Sequence, residues 1–117
     1  MTDFIYKICP EPLWQQAEQA GVFTGSGIDL TDGFIHFSTA DQTAQTAHLH
    51  FSGQGDLVLV KVATASLDLK WEASRGGDSF PHLYSDLPMT AVVAVTPMPL
   101  DSDGNHILPD EITPLKI

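Results

Sequence analysis

Apolar and polar positions first alternate at residues 3–9, where Phe4, Tyr6 and Ile8 interleave with Ile5 and Lys7. That two-residue period predicts a strand, and Pro10 is expected to stop it. The Pro10-Glu11-Pro12 run suits a helical first turn, because proline needs no amide partner there and an acid complements the helix dipole. Leu13, Trp14, Ala17 and Ala20 follow as one apolar stripe, and Gly21 is expected to end the helix. Val22 and Phe23 read either as a short strand or as a staple packed behind that helix. Residues 24–32 (TGSGIDLTD) are rich in turn formers and predict a loop.

Residues 33–38 (GFIHFS) predict a strand with apolar side chains on both faces. A helix from about residue 40 to residue 51 follows. Thr39 and Gln42 stand at capping-box spacing, and Ala44, Ala47, His48 and Phe51 fall on one side. Residues 56–63 (DLVLVKVA) are the clearest strand, and the unbroken apolar run predicts a central position. Residues 66–69 are too short to assign, 70–73 (KWEA) predict another strand, and 74–79 (SRGGDS) predict a loop. Residues 89–96 are the last strong strand, closed by Pro97 and Pro99, before an Asp103-Gly104-Asn105 turn and an edge strand near 106–108. With no repeat and no break in composition, the chain reads as one domain, 1–117. The expected class is α+β: a mixed, mostly antiparallel sheet with about two helices.

Composition narrows the function classes. At 43% hydrophobic and 17% charged, the chain lies outside the disordered class. Its formal charge is −10, from 15 acidic and 5 basic residues, and the basic ones form no run. Nucleic-acid binding draws on a concentrated basic patch, so nucleic acid is not an expected partner. Cys9 is the only cysteine, which excludes an internal disulfide and favours a reducing compartment. The start lacks the basic lead and apolar stretch of a signal peptide, and no apolar run approaches the ~20 residues of a spanning helix. The expected location is the cytoplasm, away from membranes.

Several motifs fail on inspection. Gly25-Ser26-Gly27 has no third glycine at dinucleotide spacing and no Gly-Lys-Ser/Thr. Asp101-Ser102-Asp103-Gly104-Asn105 has its glycine too early for a calcium loop and no closing glutamate. His48 and His50, two apart on a predicted helix, point to different sides and cannot grip one metal. No metal site is expected, and Cys9, in an apolar strand, reads as a buried structural thiol.

Two segments remain. In an extended GFIHFST, Ile35 and Phe37 take the core face and leave Phe34, His36 and Ser38 on the other. The handover to a helix near Ser38 and Thr39 offers backbone N–H groups and the positive end of a dipole, an anion site. His36 there can donate to a hydroxyl or phosphate, or act as acid or base; it reads equally as a buried histidine bonded to a neighbouring strand. In Phe80-Pro81-His82-Leu83-Tyr84, proline keeps the chain extended, so Leu83 points inward and His82 shares a face with Tyr84. That pairing resembles a pocket rim, and a packed aromatic turn is the plainer alternative. Glu72 adds a carboxylate on the face opposite Trp71, as a site group or a surface one.

DGFIHFST at 32–39, LVLVKV at 57–62, KWE at 70–72 and FPHLY at 80–84, in that order, resemble a bacterial family, the domain of unknown function numbered 952. The resemblance implies a fold similar to the ADP-ribosyltransferases, including the RNA 2′-phosphotransferases, which bind NAD in a cleft between two small sheet halves. It implies that His36 holds a nicotinamide ribose, with Ser38 and Thr39 beside the same pocket. Glu72 is the available acid, but its place in the chain is not clearly equivalent to the transferase glutamate, and the RNA-gripping basic residues have no counterpart. The leading expectation is therefore a pocket for NAD or another nucleotide-like small anionic ligand, with ADP-ribosyl transfer as the reaction class if there is one. His36 would be the ribose or phosphate donor, Tyr84 a stacking wall, and Glu72 or His82 the group that orients a nucleophile. The alternative is a non-catalytic binding module whose motifs lock the fold.

Overall fold

The computed structural model describes residues 2–73 and 77–114. Strand β1 (Phe4–Pro10) pairs antiparallel with β4 (Leu57–Ala63), which pairs antiparallel with β8 (Val92–Pro97), giving the order β1-β4-β8. The central place expected for β4 is the one it holds, and two-sided burial is why its sequence does not alternate. Val58, Val60 and Val62 enter one cluster with Ile5, Cys9, Trp14 and Leu83, while Leu57 and Leu59 enter another with Tyr6, Ile8, Ala44, Ala47 and Ile112. Strand β1 is likewise buried on both faces, and it runs through Pro10 rather than stopping before it. Proline is tolerated there because β1 is an edge strand.

Helix α1 (Glu11–Ala20) buries Trp14 and Ala17; Leu13 and Ala20 of the expected stripe are exposed. Its end is as read: Gly21, at φ 80°, returns its N–H to the carbonyls of Ala17 and Glu18. Val22–Phe23 is strand β2, paired with β7 (Leu87–Pro88). The stretch read as a plain loop contains a third helix, α2 (Ile28–Asp32). Glycines at both ends with positive φ, Gly27 and Gly33, let the chain turn sharply into and out of this short helix.

The strand expected over residues 33–38 shrinks to β3 (Ile35–His36), on one side of β6 (Ser79–Leu83), with β5 (Leu69–Ala73) on the other. Phe34 and Phe37 flank it without pairing as strand, though the expected alternation holds: Ile35 and Phe37 are buried. Helix α3 (Thr43–His50) starts later than expected and buries Thr43, Ala44 and Ala47, leaving His48 exposed. The strand expected at 89–96 is a single 3₁₀ turn at Met89–Ala91 and then β8, half-exposed at the sheet edge. Leu100 and His106 make an isolated bridge where an edge strand was expected. The loop expected at 74–79 lies partly outside the described residues.

Every strand pairing among the described residues is antiparallel, and the architecture is α+β with three helices rather than two. Besides the core cluster they share, one backbone rung among the described residues links the two larger sheets: Tyr6 N–H donates to the Ser38 carbonyl at 2.8 Å, and Ser38 N–H to that of Tyr6 at 2.9 Å. Behind the first sheet, Glu111 accepts from the Tyr6 hydroxyl and the Lys61 ammonium, while Ile112 is buried. Among the described residues, no helix is long and apolar enough to cross a membrane.

Burial separates β1 from β8 sharply. Ile5→Ala, at a position with no exposure, is expected to lower unfolding free energy by about 2–5 kcal/mol. Val95→Ala, on the edge strand, should change it by less than about 0.5 kcal/mol. Urea unfolding of both variants checks the contrast.

Candidate functional site

Lys7 lies in the middle of β1 among apolar neighbours and is buried. A buried ammonium needs an anion beside it. Asp29, on α2, supplies one: its Oδ2 is 2.7 Å from Lys7 Nζ and accepts the Ser26 N–H at 3.0 Å. The other oxygen, Oδ1, accepts the His36 N–H at 3.1 Å and stands 2.6 Å from His36 Nδ1. Burial alone would raise this carboxyl's pKa, but the bond from His36 and the charge and bonding of Lys7 outweigh it and hold it at about 2. Gly25 is required alongside: its φ is +114°, and a Cβ there would sit 2.9 Å from the Asp29 Cβ.

His36 has a second carboxylate on its other nitrogen, with Nε2 3.0 Å from Asp32 Oδ2. His82, buried on β6, is held from behind: its Nδ1 is 2.8 Å from Glu72 Oε1, the oxygen that also accepts the Tyr84 hydroxyl at 2.7 Å. Those two bonds draw the Glu72 carboxyl below its usual range, and the carboxylate in turn raises the Tyr84 phenol. With Nδ1 turned to Glu72, His82 has Nε2 as its other ring nitrogen, and the imidazole lies in the cavity lining. Phe34 sits among the rings, with centroids 4.5 Å from His36, 4.3 Å from His82 and 4.9 Å from Tyr84. The two imidazoles meet edge to face at 5.2 Å. His36, Glu72, His82 and Tyr84 thus belong to one contiguous cluster.

A cavity of about 570 Å³ opens beside it, where β1 meets the second sheet. His36, His82, Lys7, Asp32, Ser38 and Thr46 are among the polar residues of its wall, and Leu13, Ile28, Phe37, Phe51 and Phe80 among the apolar ones. Glu72, Tyr84 and Thr39 stand outside the lining. Tyr84 is therefore no wall for a ligand in the cavity; its ring packs on Phe34. The anion site expected at Ser38 and Thr39 is already filled by the chain itself. Gln42 Oε1 accepts the Thr39 N–H at 3.1 Å, and the N–H groups of Gln42 and Thr43 go to the Thr39 carbonyl. The Ser38 hydroxyl is 3.0 Å from that of Thr46.

Elsewhere, the Cys9 thiol is buried and its pKa pushed up by that burial. Among the described residues no three potential ligands are placed to hold a metal ion. A second cavity of about 480 Å³ lies between α3 and residues 104–114, with His48, His106 and Asp110 in its wall.

Sequence reasoning missed Lys7, Asp29, Asp32 and Phe34 as site residues. One signal was available: a lone lysine inside an apolar strand must meet a buried acid. The aspartates were hidden because the glycines around them outweighed the i, i+3 spacing that puts both on one side of a helical turn.

The family model described as "Protein of unknown function (DUF952)" matches residues 8–95. The crystal structure of protein CC0527 from Caulobacter crescentus is similar, at 46% identity over 93% of this chain and 97% of that one, with a TM-score of 0.87. The solution structure of the same protein matches at 48% identity over 90% of this chain and 91% of that one, with a TM-score of 0.79. No curated protein matches the chain.

The Asp29 carboxylate makes stability depend on acid. Its folded pKa, about 2, lies below the ordinary 3.8, so its contribution is complete above pH 4 and is lost as pH falls toward 2. The loss expected from this group is about 2 kcal/mol. Denaturant unfolding from pH 5 to pH 2 checks it, and Asp29→Asn should flatten that part of the profile. At pH 7, Asp29→Ala strands the Lys7 ammonium and is expected to cost roughly 3–5 kcal/mol.

Proposed function

The chain belongs to the family described as "Protein of unknown function (DUF952)", and because that membership brings no reaction with it, we propose from the site that the cavity binds a nucleotide-like small anionic ligand, with NAD foremost. The observation that carries this reading is the pair of carboxylate-held histidines, His36 and His82, at the wall of one largely apolar cavity. An apolar, aromatic lining with a few convergent polar groups is the usual make-up of a small-molecule site. The cavity's place at the seam of two small sheets supports the likeness to an ADP-ribosyltransferase cleft. His36 then donates to a ribose hydroxyl or a phosphate oxygen. His82 acts as the base through Nε2, and Glu72 positions it from outside the cavity. The cationic group in the lining beside the histidines is Lys7, neutralised by Asp29. A diphosphate therefore finds little charge to meet it, and the ring and ribose end of NAD is the part the cavity suits.

One observation favours a second reading, a non-catalytic module locked by its motifs. His36 satisfies both ring nitrogens on the chain's own carboxylates, and Glu72 is shared by His82 and Tyr84. Calorimetric titration decides between them. The ligand reading expects saturable heat with NAD or ADP-ribose at or below millimolar concentration. It also expects about tenfold weaker binding for His82→Phe, which keeps the stack on Phe34 and deletes the nitrogens. Silence from a folded sample at millimolar NAD and ADP-ribose rejects it.

A further inference from the structure

Two aspartates of α2 hold His36, and they differ in kind. Asp29 is buried and takes donors from Lys7, Ser26 and His36. Asp32 closes the helix with a side chain 37% exposed and lines the same cavity as the imidazole. An ionised carboxylate only accepts, so the contacts at 2.6 Å on Nδ1 and 3.0 Å on Nε2 are both hydrogen bonds only when the ring carries a proton on each nitrogen. The arrangement therefore covers the cavity-side nitrogen of His36 with a carboxylate that solvent reaches. Anchoring does not depend on that cover, because Asp29 ties α2 to β1 and β3 without it.

We propose that Asp32 is an internal stand-in for the ligand: its carboxylate occupies, on His36 Nε2, the position that an anionic oxygen of the bound molecule takes. Asp32 is thereby a specificity residue. This deepens the ligand reading of the same cavity and rests on it for the natural ligand, though not for the anion position itself. The charged and titratable groups around His36 are Asp29 and Asp32 from α2, Lys7 of β1 behind Asp29, and His82 of β6. A bare anion must displace Asp32 against its charge and gains only one hydrogen bond. A molecule that also lays an apolar or aromatic body against Leu13, Ile28 and Phe80 gains burial as well. The ligand class is thus a small amphipathic molecule with one carboxylate or phosphate group on an apolar body.

The test removes the stand-in. Asp32 is the last, half-exposed residue of α2, so Asp32→Ala leaves the packed core untouched, and Asp32→Asn serves as an isosteric check. Wild type and variants are titrated with sodium acetate and with inorganic phosphate at constant ionic strength, following the His36 imidazole by NMR. NAD and ADP-ribose are titrated by calorimetry. Half-saturation in Asp32→Ala is expected at roughly two- to fivefold lower anion concentration, the worth of a half-exposed ion pair. Whichever of acetate and phosphate gains more identifies the head group. The gain should vanish in the double variant His36→Gln, Asp32→Ala. Unchanged or weaker binding of both simple anions in Asp32→Ala, or a gain that survives loss of His36, overturns the proposal. If the simple anions gain while NAD and ADP-ribose give no heat with any form, the nucleotide reading fails and the stand-in stands.

Discussion

A buried lysine on β1 is the constraint from which the site follows. Its ammonium cannot sit among apolar side chains without a counter-ion, and the chain meets that demand with Asp29. Reaching β1 with an aspartate so far along the sequence requires the tight loop at Gly25, where a side chain would strike Asp29. The same carboxylate then has an oxygen to spare, and it takes both the backbone and the ring of His36. One ion pair thus places α2, orients the histidine and shapes one wall of the cavity.

The two histidines of the cluster are held differently. His36 lies between two carboxylates, Asp29 on Nδ1 and Asp32 on Nε2. His82 meets a single carboxylate, Glu72, on Nδ1. The two rings stand 5.2 Å apart at the wall of one cavity. Phe34 packs on both.

The elements with unbroken or strictly periodic apolar patterns were the legible ones. β4 declared its central place through the unbroken apolar run Leu57–Val60, with Lys61 as its one charged residue, and Gly21 declared the end of α1. The shared face of His82 and Tyr84 followed from Pro81 and the strand period alone. Short elements were not legible. α2 has five residues and β3 two, and each exists through tertiary contacts, the Asp29 bonds in one case and pairing with β6 in the other. The same holds for the site: the four residues expected there form one cluster, yet its organising acid lay in a stretch whose glycines spoke for a loop. The anion site expected at Thr39 failed for a local reason, since Gln42 reaches back to the same N–H.

The single rung between Tyr6 and Ser38 has a mechanical side. Two adjacent hydrogen bonds resist pulling and sliding, yet they offer little resistance to rotation about their own line. What holds the two sheets at their angle is the core they share, where Ile5, Val58 and Val60 of one pack with Ile35 and Leu83 of the other, with the Lys7–Asp29 tie as a clasp near the seam. The rung fixes where the sheets meet, and the packing behind it fixes how wide the cavity at their seam stands open.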